Sequence, residues 1–182
     1  MFGAAGPDHV VLFPASDEEL AEHVYEHLFG NGAPGTVILV ASAEHRRLIA
    51  DRMARGGIDV AAEWARGSFV ALDAAETLAS FMVAGWPDAA AFWRTLSPVL
   101  KRARARPGEV RVFGEMVAQL WDAGQTGAAV DLEALWNELA RQYTFSLLCA
   151  YPADADNPAE HIDDISHVQA AHSAVLRGPK RI

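Results

Sequence analysis

The sequence predicts an α/β protein, a three-layer sandwich with a mostly parallel central sheet and helices on both faces. Short apolar runs suited to buried strands alternate with longer segments whose apolar residues recur at helical spacing. The strand segments are apolar throughout, which is typical of parallel strands that are covered on both faces. Right-handed crossovers between such strands place helices on both sides of the sheet.

Five strands and six helices are predicted up to residue 150. The strands cover residues 9–13, 36–41, 68–72, 109–113 and 144–150. The helices begin at Ser16, Ser42, Asp73, about residue 88, Glu115 and about Thr126. Ser16 followed by Glu19 is a capping-box pattern, and Ser42 is a good N-cap for the second helix.

The composition changes after residue 152. Residues 153–160 are acidic and poor in helix formers, which predicts a loop. Residues 162–176 are expected to form one helix, and residues 177–182 a flexible basic tail. The chain is therefore interpreted as a single domain over residues 1–176 followed by that tail.

The bulk composition favours a cytoplasmic protein. Apolar residues make up 51% of the chain, but no run approaches the roughly 20 residues of a membrane span. A basic segment followed by an apolar one is missing at the N-terminus, so no secretory signal is expected. The single cysteine cannot form an internal disulfide, which suits a reducing compartment. A net charge of −9 argues against direct nucleic-acid binding.

One basic cluster stands out from this acidic background. It consists of Lys101, Arg102, Arg104, Arg106 and Arg111. Cations complement the dipole at the end of a helix, so a solvated helix end is one interpretation. A docking surface for an acidic partner is the other.

The motifs of nucleotide enzymes and of nucleophilic enzymes are missing. The first strand-to-helix turn, residues 13–19, has no glycine and no lysine to hold a phosphate, and its three carboxylates would repel one. The glycine-rich segment 30–35 precedes a strand, the wrong order for a phosphate loop. No serine lies in a Gly-x-Ser-x-Gly elbow, and Cys149 lies within an apolar strand, as a structural cysteine does. We therefore expect neither an enzyme nor a cofactor.

The histidines predict no metal site. His23 and His27 are four residues apart on one helix but lack a third ligand, so a solvated helix face is the preferred interpretation. His161, His167 and His172 are spaced so that no two share a helix face.

Acidic residues at strand ends are better candidates for a binding site, because ligands bind at the carboxyl ends of parallel strands. Asp73 and Glu115 each follow a strand and begin a helix, so N-terminal capping is the alternative role. Glu133 and Asn137 lie four apart on the helix from Thr126. They form either a solvated polar ladder or, facing Glu115, the polar part of a pocket. Its apolar walls would be Trp121 and Trp136.

The sequence also resembles a known family, the MEDS domain. This sensory domain is named for methanogens, methylotrophs and a dichloromethane-responsive regulator. The resemblance rests on ordered segments, which are residues 9–13, 41–45, 72–78, 81–85, 113–118, 128–137, 145–152 and 172–173. They include Phe113-Gly-Glu-Met-Val-Ala118 and Phe145-Ser-Leu-Leu-Cys-Ala-Tyr-Pro152. Pro14 departs from the pattern, because many relatives carry a tyrosine there.

The resemblance implies a RecA/KaiC-like core without a phosphate loop and a role in sensing small hydrocarbon derivatives. The family's better-kept positions map onto His9, His45, Asp73, Glu115, Glu133, Trp136, Asn137, Tyr151 and His172. With Trp121 added and His9 left out, these residues form our predicted ligand-binding set. Few residues follow Leu176, so the signal is expected to pass to a separate polypeptide or through self-association.

Three functional hypotheses follow. The first is a stand-alone bacterial sensor that binds a small, largely apolar ligand and regulates a signalling or transcription partner, for which a homodimer is one possible form. The second is an interaction protein in a partner-switching circuit, with an anti-sigma factor or a histidine kinase as partner and a vestigial pocket. The third is a residual nucleotide binder in which Asp73 and Glu115 hold a magnesium ion.

Overall fold

The computed structural model of the 182-residue chain describes residues 8–30, 32, 34–152, 155 and 162–178. The strands are β1 (His9–Phe13), β2 (Thr36–Ala41), β3 (Phe69–Asp73), β4 (Met82–Val83), β5 (Trp86–Pro87), β6 (Val110–Gly114), β7 (Ser146–Ala150) and β8 (Ala174–Arg177). Six of them form one parallel sheet in the order β3-β2-β6-β7-β1-β8, whereas β4 and β5 form a separate antiparallel hairpin.

Helices cover both faces of the sheet. They are α1 (Asp17–Phe29), α2 (Ala43–Arg55), α3 (Val60–Arg66), α4 (Ala74–Ala79), α5 (Ala89–Arg104), α6 (Met116–Asp122), α7 (Thr126–Gln142) and α8 (Ile162–Ala171). One apolar cluster packs α1 and α2 against the sheet, and a second packs α4 to α8 against its other face. Within β1, Val11 and Phe13 enter one cluster and Leu12 the other. The predicted three-layer α/β sandwich is confirmed.

The strand order places a crevice at one edge of the sheet. From the carboxyl ends of β1 and β2 the chain turns into α1 and α2 on one face, whereas from β6 it turns into α6 on the other. Neighbouring strands whose connections leave in opposite directions open a crevice between them. The carboxyl ends of β1, β7, β6 and β2 lie side by side there.

The predicted helix caps are largely confirmed. The Ser16 and Ser42 hydroxyls accept the backbone N–H groups of Glu19 and His45, each at 3.2 Å. The Glu19 carboxylate returns to the N–H of Ala15, at 2.8 Å, one residue before the cap. These bonds satisfy backbone donors that the first turn of a helix leaves without partners.

The prediction of one helix over residues 162–176 is wrong. Helix α8 ends at Ala171, and Ala174–Arg177 form strand β8, which pairs with β1 at the edge of the sheet. Ser173 makes the junction, because its N–H and its hydroxyl both donate to the carbonyl oxygen of His9. Arg177 therefore belongs to the sheet and not to a tail. The remaining tail residues 179–182, and all of the predicted loop 153–160 except Ala155, lie outside the described residues.

Two further local predictions differ from the structure. The helix predicted from Asp73 is short and ends at Ala79, and the β4–β5 hairpin follows from Met82. The hairpin turn requires positive φ angles, which are 50° at Ala84 and 86° at Gly85. Helix α3 was not predicted, and its N-cap is Asp59. Among the described residues, no helix combines the length and apolar character needed to cross a membrane.

Candidate functional site

A cavity of about 400 Å³ opens at the carboxyl edge of the sheet. Its apolar wall includes Pro14 and Leu20 beside the start of α1 and Tyr151 after β7. The polar groups that line it include His45 on α2 and Glu115 after β6. Small-molecule pockets commonly measure roughly 300–1,000 Å³ and combine apolar walls with a few polar groups.

Glu115 is the most constrained polar residue of this cavity. It is 5% exposed and makes no side-chain cap on its own helix, α6. Its carboxylate instead reaches the start of α2, where one oxygen accepts the N–H of Ser42 and the other lies 2.5 Å from Nδ1 of His45. A carboxylate in this position compensates the positive end of the α2 dipole. Glu115 therefore stabilises the start of a helix, as the capping interpretation expects, but this helix is α2 and not its own helix α6.

His45 connects Glu115 to the mouth of the cavity. Its Nδ1 faces Glu115, and its Nε2 lies 3.5 Å from Oδ1 of the exposed Asp17. The hydrogen bond with Glu115 raises the pKa of His45 above its usual range, although burial acts in the opposite direction. The three residues therefore form a chain of ionisable groups from the cavity wall to the solvent.

The first turn of α1 occupies the place where a phosphate would bind in a nucleotide enzyme of this topology. Asp17, Glu18 and Glu19 lie in that turn, and Ser16 already caps it. Carboxylates at a helix N-terminus replace a bound anion both in charge and in position. This arrangement counts against the residual nucleotide binder.

A second polar cluster lies inside the protein, and Glu133 is at its centre. Glu133 is fully buried on α7, and its Oε1 accepts the Tyr151 hydroxyl at 2.9 Å. His9 Nε2 and the thiol of Cys149 lie 3.2 Å and 3.5 Å from Oε2, and His172 Nε2 lies 3.4 Å from Oε1. The interpretation of Glu133 as part of a solvated ladder is therefore wrong.

The ionisation of this cluster is strongly coupled. Burial alone would raise the pKa of Glu133, but His172 and His9 outweigh it and hold that pKa well below its ordinary value. In return Glu133 raises the pKa of His172, although burial lowers it. Burial and the Glu133 carboxylate raise the pKa values of the Cys149 thiol and the Tyr151 hydroxyl well above their ordinary values.

The structure divides the predicted ligand-binding set. His45, Glu115 and Tyr151 line the cavity, whereas Glu133, Asn137 and His172 belong to the buried cluster. The expectation that Glu115, Glu133 and Asn137 face one another is therefore wrong. Tyr151 joins the two groups, because the residue borders the cavity and its hydroxyl binds Glu133.

Three other members of the predicted set have structural contacts. Asp73 caps α4 by accepting the N–H of Glu76 at 3.1 Å, and it pairs with Arg46 at 2.9 Å. The backbone hydrogen bond from Glu76 and then Arg46 lower the pKa of Asp73. Trp136 is 2% exposed and packs in the core, so it is no pocket wall. Trp121 contacts the Tyr151 ring edge-on at 5.3 Å, behind the cavity.

Sequence reasoning missed several residues of the buried cluster. Cys149 is buried as expected, but it lies 3.3 Å from His9 Nε2 in a polar environment. The signal was the presence of His9 and Cys149 in strands that prove to be neighbours, two register positions apart. His27, expected to be solvated, has a buried Nε2 without a hydrogen-bond partner among the described residues. His161 lies outside the described residues.

Comparison with solved structures supports the fold. A KaiC-like protein from the hyperthermophilic archaeon Pyrococcus horikoshii OT3 matches with a TM-score of 0.57 and 14% sequence identity. The match covers 97% of this chain and 75% of that protein. At this identity the likeness shows a shared RecA/KaiC-type fold. Curated protein sequences gave no significant match.

The sequence also matches a family model, described as MEthanogen/methylotroph, DcmR Sensory domain, over residues 8–169. The matched segment begins just before β1 and ends within α8, so it includes both the cavity and most of the buried cluster. The chain belongs to the MEDS family of sensory domains.

Proposed function

We propose that this protein is a signal-sensing module that binds a small, largely apolar molecule in the cavity at the carboxyl edge of the sheet. The family is one of sensory domains, and the cavity is the observation that carries the finer proposal. A volume of about 400 Å³ suits a small organic molecule. The proposal assigns the protein no catalytic step.

The lining of the cavity indicates the chemistry of the ligand. Pro14, Ala118 and Pro152 line the cavity and are partly exposed, so they offer apolar surface and most of the ligand would be apolar. The acidic side chains of Asp17 and Glu115 disfavour an anion such as a phosphate. A hydroxyl or amine on the ligand would find its partner at the Glu115–His45 pair.

The same pair suggests how binding becomes a signal. Glu115 joins the start of α6 to the start of α2, on opposite faces of the sheet. A ligand that competes for His45 or Glu115 would change this connection and favour one arrangement of the two helices. Ligands act on conformational equilibria by binding one state more tightly than the other.

The signal would be read by a signalling protein, with a histidine kinase or an anti-sigma factor as the expected partner. Four exposed basic residues at and just after the end of α5 offer a surface for an acidic partner, namely Lys101, Arg102, Arg104 and Arg106. Arg111 is not part of that surface, because it is buried and donates to the carbonyl oxygens of Leu28 and Gly32.

Ligand titration monitored by tryptophan fluorescence and by melting temperature tests the proposal. Trp121 is the expected reporter because it packs on Tyr151, and Trp121→Phe should remove the fluorescence change but keep the thermal shift. Filling the cavity with Ala118→Phe should abolish both responses. Ala134→Phe, on the exposed face of α7, is the matched control and should keep them. A panel of small alcohols, amines and halogenated hydrocarbons without any cavity-dependent response would refute the proposal.

A further inference from the structure

Four side chains that metal ions favour as ligands meet inside the protein, apart from the cavity. They are His9 on β1, Glu133 on α7, Cys149 on β7 and His172 after α8. One potential ligand atom from each lies within 4.8 Å of the others. His9, Glu133 and Cys149 are all at most 5% exposed, and the His172 side chain is fully buried. Burial and the mixture of ligand types distinguish this cluster from a patch of exposed acidic side chains.

The spacing of these atoms matches a tetrahedral metal site. Zinc bonds of roughly 2.0–2.3 Å give distances of about 3.3–3.8 Å between neighbouring ligand atoms. Here Nε2 of His9 lies 3.2 Å from Glu133 Oε2 and 3.3 Å from Cys149 Sγ. Oε2 of Glu133 lies 3.5 Å from Cys149 Sγ, and its other oxygen, Oε1, lies 3.4 Å from His172 Nε2. All four atoms lie within 4.8 Å of one another, so the widest pair would have to close by at most about 1.5 Å.

Outer hydrogen bonds fix the orientation of both histidine rings. Asn137 donates its amide N–H to the carbonyl oxygen of Ala171 at 3.0 Å, which directs its own oxygen to Nδ1 of His9. His172 Nδ1 lies 2.5 Å from the carbonyl oxygen of Val168. Both acceptors are oxygens, so each Nδ1 carries a hydrogen, and in the neutral imidazole each Nε2 then has a lone pair for a metal ion. Metal-bound histidines are held in this way.

Without a metal ion, the Glu133 carboxylate must be matched by protons on the histidines. One protonated histidine would neutralise it, whereas two would leave a net positive charge in the interior, which is costly. Nε2 of His172 lies 3.4 Å from Glu133 but makes no well-formed hydrogen bond with a described residue. A divalent cation with one carboxylate, one thiolate and two neutral imidazoles is neutral.

We propose that His9, Glu133, Cys149 and His172 bind one divalent transition-metal ion, with zinc as the metal that the set fits best. Thiolate and imidazole ligands favour zinc over magnesium or calcium, which prefer oxygen ligands. Binding forms a metal–sulfur bond in place of the S–H bond of Cys149, and the proton leaves to the buffer. The site connects β1, β7, α7 and the end of α8, so its expected role is structural.

Metal titration of the chelator-treated full chain tests this proposal without any ligand of the cavity. One equivalent of Zn²⁺ should bind and raise the melting temperature. One equivalent of Co²⁺ should produce the near-ultraviolet charge-transfer band of a cobalt–thiolate bond. Cys149→Ser should abolish that band, and His172→Gln should weaken binding by at least about tenfold, the lower limit for loss of even an outer partner.

Two controls keep the test specific. His167→Gln changes an exposed histidine on the same helix, α8, and should bind metal as the unmodified protein does. Asn137→Ala keeps all four ligands but frees the His9 ring, and should weaken binding by roughly 10–100-fold. If a variant of a metal-binding residue does not fold, the titrations of the unmodified protein alone decide whether the site binds metal. Absence of both the thermal shift and the charge-transfer band, or metal binding that survives Cys149→Ser and His172→Gln together, would show a metal-free hydrogen-bonded cluster instead.

Discussion

Glu115 and His45 connect the two faces of the sheet, with 2.5 Å between a carboxylate oxygen and Nδ1. The carboxylate also accepts the N–H of Ser42, so it satisfies a donor at the start of α2. Glu115→Gln keeps the size of the side chain but removes its charge. We expect a loss of about 1.5–3 kcal/mol in the free energy of unfolding, as for a hydrogen bond to a charged group. Urea denaturation measures it, with Glu138→Gln on the exposed face of α7 as the control.

The same pair predicts a pH dependence. The pKa of His45 in the folded protein lies above the 6.5 of the free side chain. The stabilisation from this raised pKa is fully present below pH 6.5 and is lost as the pH rises through the folded value. The destabilisation by Glu115→Gln should therefore be larger near pH 6 than near pH 9. An NMR titration of His45 should show its pKa falling in the variant, and an unchanged pKa would contradict the contact.

Asp73 distinguishes a cap from a ligand-binding residue. Because Asp73 accepts the N–H of Glu76 and pairs with Arg46 outside the cavity, Asp73→Ala should destabilise the protein but leave ligand titrations unchanged. Asp59→Ala is the matched variant, since Asp59 caps α3 in the same way, with its side chain 2.9 Å from the N–H of Ala62. Both should lower the urea midpoint by similar amounts. If Asp73→Ala lost the ligand response while Asp59→Ala kept it, Asp73 would be a ligand-binding residue after all.

The fold could be predicted from the sequence wherever apolar pattern and caps agree. Strand β2 is buried along its whole length, and after Thr36 its sequence is a continuous apolar run. Strand β6 is buried as well, although Arg111 interrupts its apolar sequence. β8 could not be found in this way. It is a short edge strand with exposed residues, and its Ala-Val-Leu sequence continues the apolar spacing of α8. Its pairing with β1 depends on Ser173 contacting His9, 164 residues away.

Only part of the candidate site could be predicted from the sequence, because the sequence pattern does not show which strands become neighbours. A strand end followed by an acidic residue identified Glu115, but the direction of its side chain depends on β6 lying next to β2. The buried cluster depends even more on the strand order, because β1 separates β7 from β8. Spacing along the sequence cannot bring His9 and His172 together, although their ring centroids are 4.0 Å apart.

Tyr151 allows the contribution of the buried cluster to stability to be measured. Its hydroxyl donates to the Glu133 carboxylate, and Tyr151→Phe removes this bond but keeps the ring contact with Trp121. A hydrogen bond to a charged group contributes about 1.5–3 kcal/mol, so the variant should be less stable by that amount. Urea denaturation after chelator treatment excludes any contribution from bound metal. Tyr143→Phe, in a half-buried tyrosine after α7, should change stability far less.

His27 should make the protein sensitive to acid. Burial lowers its pKa to about 4, so the folded protein disfavours the charged form that the unfolded chain adopts below pH 6.5. Stability from this group is present above pH 6.5 and falls progressively down to about pH 4, by up to about 3 kcal/mol. His27→Leu should reduce the difference between urea midpoints at pH 7 and pH 4.5. His23→Leu on the same helix should leave that difference in place.

Two glycines should respond in opposite ways to the same substitution. A Cβ atom on Gly35 would lie 2.2 Å from the carbonyl oxygen of Pro107 and 2.8 Å from the backbone of Gly108, and backbone atoms cannot rotate away. Gly35→Ala should therefore cost about 3 kcal/mol, as overpacking does. Gly127 lies within α7, and a Cβ there would lie 3.2 Å from the side chain of Trp86, which is 54% exposed and able to shift.

Gly127→Ala should therefore stabilise the protein. The gain should be smaller than the about 0.5–1 kcal/mol preference of alanine over glycine in a helix interior, because Gly127 is the second residue of α7. Urea midpoints of the two variants, measured side by side with the unmodified chain, test both signs at once. The result for Gly35 also tests whether residues 30–35 could bind a phosphate, since this segment resembles a phosphate loop in composition only. A backbone packed against residues 107–108 has no room for an anion, and tolerance of alanine at Gly35 would contradict that packing.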